Sequence, residues 1–159
     1  VPFYLRTGKR LARKVTEITI TFKVPHSMFE SFGISDLPNN VLVFKIQPDE
    51  GIKLSFQAKR PGSKVCMSMI TMDFDYSDVF GSEPHEPYQR LILDIMLGDQ
   101  TLFTRQDEIE ATWKLVEPVL RKWQHNADKL YEYPAGAESF PEVDKLIEPY
   151  GTWRKISEM

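Results

Sequence analysis

Positive charge in this chain of 159 residues is enriched at one end. Five of its 20 lysines and arginines (Arg6, Lys9, Arg10, Arg13 and Lys14) fall within the first fourteen positions, with no acidic residue before Glu17. The net charge of the whole chain is −3, so this is a local positive field on an acidic background. An ammonium on a flexible stem is suited to gripping a phosphate from one side. Gly8 precedes Lys9 and permits a turn that residues with a Cβ resist. The expectation is therefore a change of direction at Gly8 that aims Lys9 into an anion site. A solvated loop that merely keeps the surface soluble would show the same composition, and at this level the two readings stand side by side.

No other residues form a reaction centre. His26, His85 and His125 are scattered, without a partner at a spacing that suggests an acid–base dyad or a metal site, so neither catalytic residues nor metal ligands are expected. Asp73 and Asp75 share one face of a strand pattern and read as a solvated edge. Trp113 and Trp123 lie on one helix and read as core. Cys66, the only cysteine, allows no intrachain disulfide, suits a reducing cytoplasm, and reads as a small buried hydrophobe. Neither G-x-G-x-x-G nor G-x-x-x-x-G-K-S/T occurs; Pro61-Gly62-Ser63-Lys64 lacks the first glycine and the spacing that cradle phosphates, so no cofactor-binding residues are expected. No apolar run is long enough to cross a bilayer, and a basic excess confined to one patch argues against a general nucleic-acid binder.

The elements that must position the basic run follow from periodicity. Residues 15–24 alternate, with Ile18, Ile20, Phe22 and Val24 on one side and Glu17, Thr19, Thr21 and Lys23 on the other, as in a half-buried antiparallel strand. After the loop from Pro25 to Asn40, Val41 to Gln47 forms a second strand, stopped by Pro48 and the Asp49-Glu50-Gly51 turn. Ile52, Leu54, Phe56 and Ala58 alternate for a third. Val65 to Tyr76 makes a fourth whose apolar phase changes, which predicts a bulge near Met69 and Ile70. The period then becomes helical: Tyr88, Leu91, Ile92, Ile95 and Met96 between Pro87 and Gly98, and next Ile109, Thr112, Trp113, Val116, Leu120 and Trp123 in a helix that starts near Gln106 and kinks at Pro118. A short helix near Glu142 to Glu148 lies in a tail draped over the body. The fold class is α+β, a mainly antiparallel sheet with helices packed on one face. The alternating strands, with Cys66, Met67, Met69 and Met72, offer more apolar surface than these helices readily cover, so a sheet face is expected to meet a second subunit.

Several stretches, taken in order, carry a resemblance. V1-P-F-Y-L-R-T-G-K-R-L11, L42-V-F-K-I-Q-P-D-E-G51, K59-R-P-G62, Y88-Q-R-L-I-L-D94 and F103-T-R-Q-D-E-I-E-A-T-W-K114 resemble successive landmarks in the C-terminal domain of glucose-6-phosphate dehydrogenases. The resemblance covers residues 1 to about 115; the tail after Asn126 adds only a tyrosine, proline and glycine pattern. It implies that residues 1–159 are a C-terminal substrate-binding and dimerisation domain fragment, with the nucleotide-binding domain and the catalytic histidine lying upstream. The start at Val1, inside an apolar segment, fits a piece of a longer polypeptide. The implied activity is oxidation of glucose 6-phosphate to the lactone with reduction of NADP, in the pentose phosphate pathway of the cytoplasm, by a homo-oligomer. By position Lys9 and Lys14 hold the substrate, the second of these positions accepting lysine or arginine in the family, and Gln47 approaches the sugar. NADP is bound mainly outside this chain. Animal-type members hold a second, structural NADP here; Arg6 and Lys45 fit that site, but Val15 and Thr19 stand where further cations belong, so it is not expected. Gln89 replaces the acidic residue usual in its segment, which removes any ion pair made there. A non-catalytic sugar-phosphate-binding or dimerisation module is the alternative, and a nucleic-acid binder using the basic run would show salt-sensitive binding to any polyanion.

Overall fold

In the computed structural model, the residues described are 1–24, 37–81, 87–125 and 130–156. Most of the loop from Pro25 to Asn40, with His26, and the loop carrying His85 lie outside them. Contacts divide the chain into two compact units, Val1–Ser82 with Pro134–Met159, and Glu83–Tyr133. No helix among the described residues is long and apolar enough to cross a membrane.

The first unit is built on a sheet whose described strands are β1 (Thr16–Thr21), β2 (Val41–Gln47), β3 (Gly51–Lys59) and β4 (Met67–Asp75), in sequence order and antiparallel throughout. The α+β class follows, as expected. Strand existence agrees with the alternation, while β1 is shorter than its pattern, a single further bond from Phe22 N–H to the Asn40 carbonyl (2.9 Å) continuing the pairing. The bulge expected in β4 is absent. Its register against β3 runs unbroken from Gly51 opposite Asp75 to Lys59 opposite Met67. The changed phase has another cause: β4 carries apolar side chains on both faces, with Ile70, Met72 and Phe74 beside Phe56, Leu54 and Ile52, and Met67 and Met69 on the reverse. Thus Met67, Met69 and Met72 do not form one patch. The irregularity lies instead between Thr16 and Glu17, where β1 steps from Gln47 to Lys45 and leaves Ile46 unpaired. Cys66 is exposed, not buried: residues 60–66 are all exposed, and Cys66 closes the base of their turn, its carbonyl accepting from Arg60 N–H at 2.7 Å.

Register sorts the sheet into two faces. Ile18, Ile20, Leu42, Phe44, Ile52, Leu54, Phe56, Ile70, Met72 and Phe74 form an apolar face, much of it open, with Ile18 56% and Met72 60% exposed. On the other face lie Glu17, Val43, Lys45, Lys53, Asp73 and Asp75. Lys45 Nζ stands 2.8 Å from Asp73 Oδ1 and 2.7 Å from Asp75 Oδ1, and Lys53 adds a longer contact of 3.4 Å to Asp73. Lys45 reaches across an intervening strand because the residue between it and Asp75 in the register is Gly51. Asp73 and Asp75 are thus ion-paired on the last described strand, with Asp73 still exposed.

Hydrogen bonding from Lys45, against the opposing effect of burial, holds the Asp73 carboxyl below its ordinary value. For Lys45, burial would lower the ammonium, but its bonds to Asp73 and Asp75 outweigh that and raise it. The linkage follows in sign. The Asp73 contribution is present above the ordinary carboxylate pKa and is lost as pH falls through the lowered folded value; the Lys45 contribution is present below the ordinary lysine pKa and is lost at strongly alkaline pH. We therefore expect Asp73→Asn to lower the urea midpoint at neutral pH, with the gap to the parent closing as the solution is acidified below the carboxylate range. A gap independent of pH would remove the ion pair as its cause.

β4 runs directly into a short helix, α1 (Tyr76–Phe80), which no periodicity announced. Phe74, Tyr76 and Phe80 stack in series there, with ring centroids 5.1 and 5.6 Å apart. The unit closes with α4 (Pro141–Ile147), where the short helix of the tail was expected, and a 3-10 turn at Glu148–Tyr150.

The second unit contains α2 (Pro87–Leu97) and α3 (Gln106–His125). Pro87 opens α2 and Gly98, at φ 71°, ends it, as the sequence predicts. Asp94 is 1% exposed; Arg90 Nε lies 2.9 Å from its Oδ1 and 3.1 Å from its Oδ2, aligned for a hydrogen bond only with the latter. α3 places Asp107 and Glu108 in its first turn and Lys122 and His125 in its last, matching the helix dipole, and it continues through Pro118. Trp113 and Trp123 are 59% and 67% exposed, so the core expected of them is not formed by the described residues: the apolar stripe is real but these two rings on it stay open.

Candidate functional site

The basic run has no regular secondary structure before β1. Its one left-handed residue is Arg10, at φ 55°, and Gly8 has no positive φ, so the turn falls after Lys9 instead of before it. Lys9 and Lys14 are exposed. Gln47, the last residue of β2, is exposed too, and it pairs with Thr16, the first residue of β1. Register therefore brings Gln47 to the sheet corner from which Lys14 leaves by two residues. Lys9, farther along the loop, is not placed by the sheet.

What places the loop is the tail. Gly136 N–H donates to the Arg10 carbonyl at 2.8 Å and Ala12 N–H donates to the Ala137 carbonyl at 3.1 Å. Arg6 donates from Nη2 to the Arg154 carbonyl at 3.0 Å, and more weakly from Nη1 to the Glu138 carbonyl at 3.5 Å. Its guanidinium carbon stands 4.9 Å from the centre of the Trp153 ring, a cation–π contact. Trp153 is fixed in turn by a bond from Nε1 to the Val143 carbonyl (3.1 Å) and by the edge-on ring of Tyr4, centroids 6.3 Å apart. Arg154 lies 3.3 Å from Glu17 Oε2 at the start of β1. Burial pushes the Arg6 guanidinium below its ordinary value, against the opposing attraction of Asp144, Glu17 and Glu138; a guanidinium stays charged at neutral pH regardless.

The arrangement is a rim of exposed cations, Lys9, Arg10, Arg13 and Lys14, on a loop pinned from behind. Such a rim can bind an anion; it offers no acid–base pair. His125, the described histidine, has its Nδ1 2.7 Å from the Arg121 carbonyl on its own helix. Arg6 and Lys45, the cations that fit a second dinucleotide site, are engaged with Trp153 and with Asp73 and Asp75. Sequence reasoning missed Gly136, Ala137, Trp153 and Arg154. Their signal was the turn chemistry of Pro134 to Ala137 and an aromatic tail, neither of which says which loop the tail will meet.

The model of the family described as glucose-6-phosphate dehydrogenase, C-terminal domain, matches residues 1–154. The glucose-6-phosphate 1-dehydrogenase of Chlamydia pneumoniae is 45% identical over 161 residues, and that of Aggregatibacter actinomycetemcomitans 45% over 159. These alignments cover 98% and 99% of this chain, which spans 31% of the length of each of these curated relatives. A solved glucose-6-phosphate dehydrogenase in complex with glucose 6-phosphate superposes with a TM-score of 0.75 at 35% identity, covering 93% of this chain and 30% of that one. With the family model matched over residues 1–154, the chain belongs to the glucose-6-phosphate dehydrogenase C-terminal domain family.

Proposed function

We propose that this chain is the C-terminal part of an NADP-dependent glucose-6-phosphate 1-dehydrogenase and that its basic loop holds the phosphate of the sugar. The observation that carries the reading is identity of 45% along 98% of the chain with a protein named for that activity. In the overall reaction the anomeric carbon loses a hydride and its hydroxyl a proton, leaving the lactone and reduced NADP. This chain contributes charge and orientation. Lys9 and Lys14 supply ammonium donors to the phosphate, and Gln47, at the same sheet corner as Lys14, supplies an amide to the sugar. The proton acceptor and the dinucleotide site belong to the remainder of the protein, since this sequence carries neither a glycine-rich dinucleotide fingerprint nor a histidine with an acidic partner at a suitable spacing. Residues 1–159 act as the substrate-binding and dimerisation domain, with the open apolar face of the sheet as its subunit contact. A lone cysteine suits a cytoplasmic enzyme.

The division of labour has a direct test. The purified chain is expected to show no reduction of NADP with glucose 6-phosphate, whereas the complete protein turns the pair over. Turnover by the chain alone would overturn the assignment of the base elsewhere, and failure of the complete protein to oxidise glucose 6-phosphate would overturn the activity itself.

A further inference from the structure

We propose that the tail, residues 134–156, is the positioning element of the phosphate-gripping loop, with the ring of Trp153 clasping Arg6 as its decisive contact. The inference rests on the reading that Lys9 and Lys14 hold the sugar phosphate, and adds which residues aim them. A loop without secondary structure must be held at intervals if its side chains are to keep one geometry, since every ordered backbone residue loses conformational entropy.

The anchors bracket both lysines. Lys9 lies between Arg6, clasped by Trp153 and by the Arg154 carbonyl at 3.0 Å, and Arg10, whose carbonyl accepts from Gly136 at 2.8 Å. Lys14 lies between Ala12, bonded to the Ala137 carbonyl at 3.1 Å, and Glu17, 3.3 Å from Arg154. Every one of these anchors is on the tail, more than a hundred residues away in sequence. The tail holds its own shape: Ala137 N–H bonds the Pro134 carbonyl at 3.1 Å across a tight turn, and Gly136 takes the φ of 84° that the third position of a type II turn requires. Trp153 carries no charge, so its loss subtracts nothing from the positive field; any change in sugar-phosphate affinity must come through the loop.

The test uses the complete dehydrogenase. Trp153→Ala is expected to raise the KM for glucose 6-phosphate roughly 5- to 20-fold, within the ~100-fold that an ångström of misplacement can cost. The kcat and the KM for NADP should change less than about twofold, since binding and not the chemical step is affected. Trp153→Phe keeps a ring under Arg6 and should restore most of the affinity. In a Lys9→Ala background, Trp153→Ala should cost clearly less than it does in the parent, because the Lys9 contact is already gone and only the aim of Lys14 is left to disturb. Equal losses in kcat and in both affinities, or additive losses in the double variant, would reduce Trp153 to general structural support and overturn the inference. Should Trp153→Ala fail to accumulate as folded protein, Trp153→Leu, with the stacking lost and apolar bulk kept, is measured in its place against the same outcomes. If Lys9→Ala itself has no effect, the phosphate reading fails; if Lys9→Ala weakens binding and the tryptophan variants do not, only the positioning role fails.

Discussion

Lys9→Ala in the complete enzyme is expected to weaken affinity for glucose 6-phosphate by about 10- to 150-fold, while affinity for NADP stays unchanged. A hydrogen bond to a charged group contributes roughly 1.5–3 kcal/mol, and the range follows from losing one such bond. The ammonium should contribute to that full extent because its loop is held at Arg6 and Arg10, so that little additional ordering is required on binding. Lys14→Ala should act in the same direction. Lys14→Arg should retain most of the affinity, because a guanidinium keeps the charge and the donors. Titration of each variant with glucose 6-phosphate decides the matter: constants within error of the parent would return the basic run to a solvated loop.

Gly51→Ala is expected to destabilise the sheet unit by about 3 kcal/mol, through overpacking at a site with no room to relax. Gly51 is buried at the start of β3, and a Cβ built there would collide with the Phe74 carbonyl oxygen and lie 2.7 Å from Asp75 Oδ1. One of the two colliding atoms is backbone of β4, so relief requires moving a strand. The same Cβ would stand in the lane through which Lys45 reaches Asp75. Against total stabilities of about 5–15 kcal/mol the loss is large. Urea unfolding of Gly51→Ala beside Ser55→Ala, a substitution on the same strand that removes only a hydroxyl contact of 3.2 Å to Thr71, separates steric collision from ordinary loss of contacts. Equal midpoints for the two variants would refute the collision.

Much of this molecule is local in origin. Alternation placed β1 and β3 because a sheet with one apolar face imposes a period of two, β-branched and aromatic content placed β2, and Pro87, Gly98 and the stripe from Ile109 to Trp123 marked α2 and α3 because a helix start tolerates the fixed φ of proline and a helix end favours glycine. The basic loop, with Lys9 and Lys14, was visible as an uneven distribution of charge, and ordered landmarks such as Y88-Q-R-L-I-L-D94 carried the family.

Tertiary structure decided what local pattern leaves degenerate. Met67, Met69 and Met72 read as a slipped phase until pairing with Lys59, Gln57 and Leu54 put them on different faces of an unbroken strand. Gly51 read as the end of a turn, and only its position between Lys45 and Asp75 reveals that it must lack a side chain. Arg6 read as one more cation of the run, yet it is spent on Trp153, 147 positions away in a sequence that says nothing of their meeting. The physical reason is common to all three. Periodicity and turn chemistry are set by neighbours within a few residues, whereas register, close approach and the docking of a tail depend on which distant surfaces fit together once the sheet has formed.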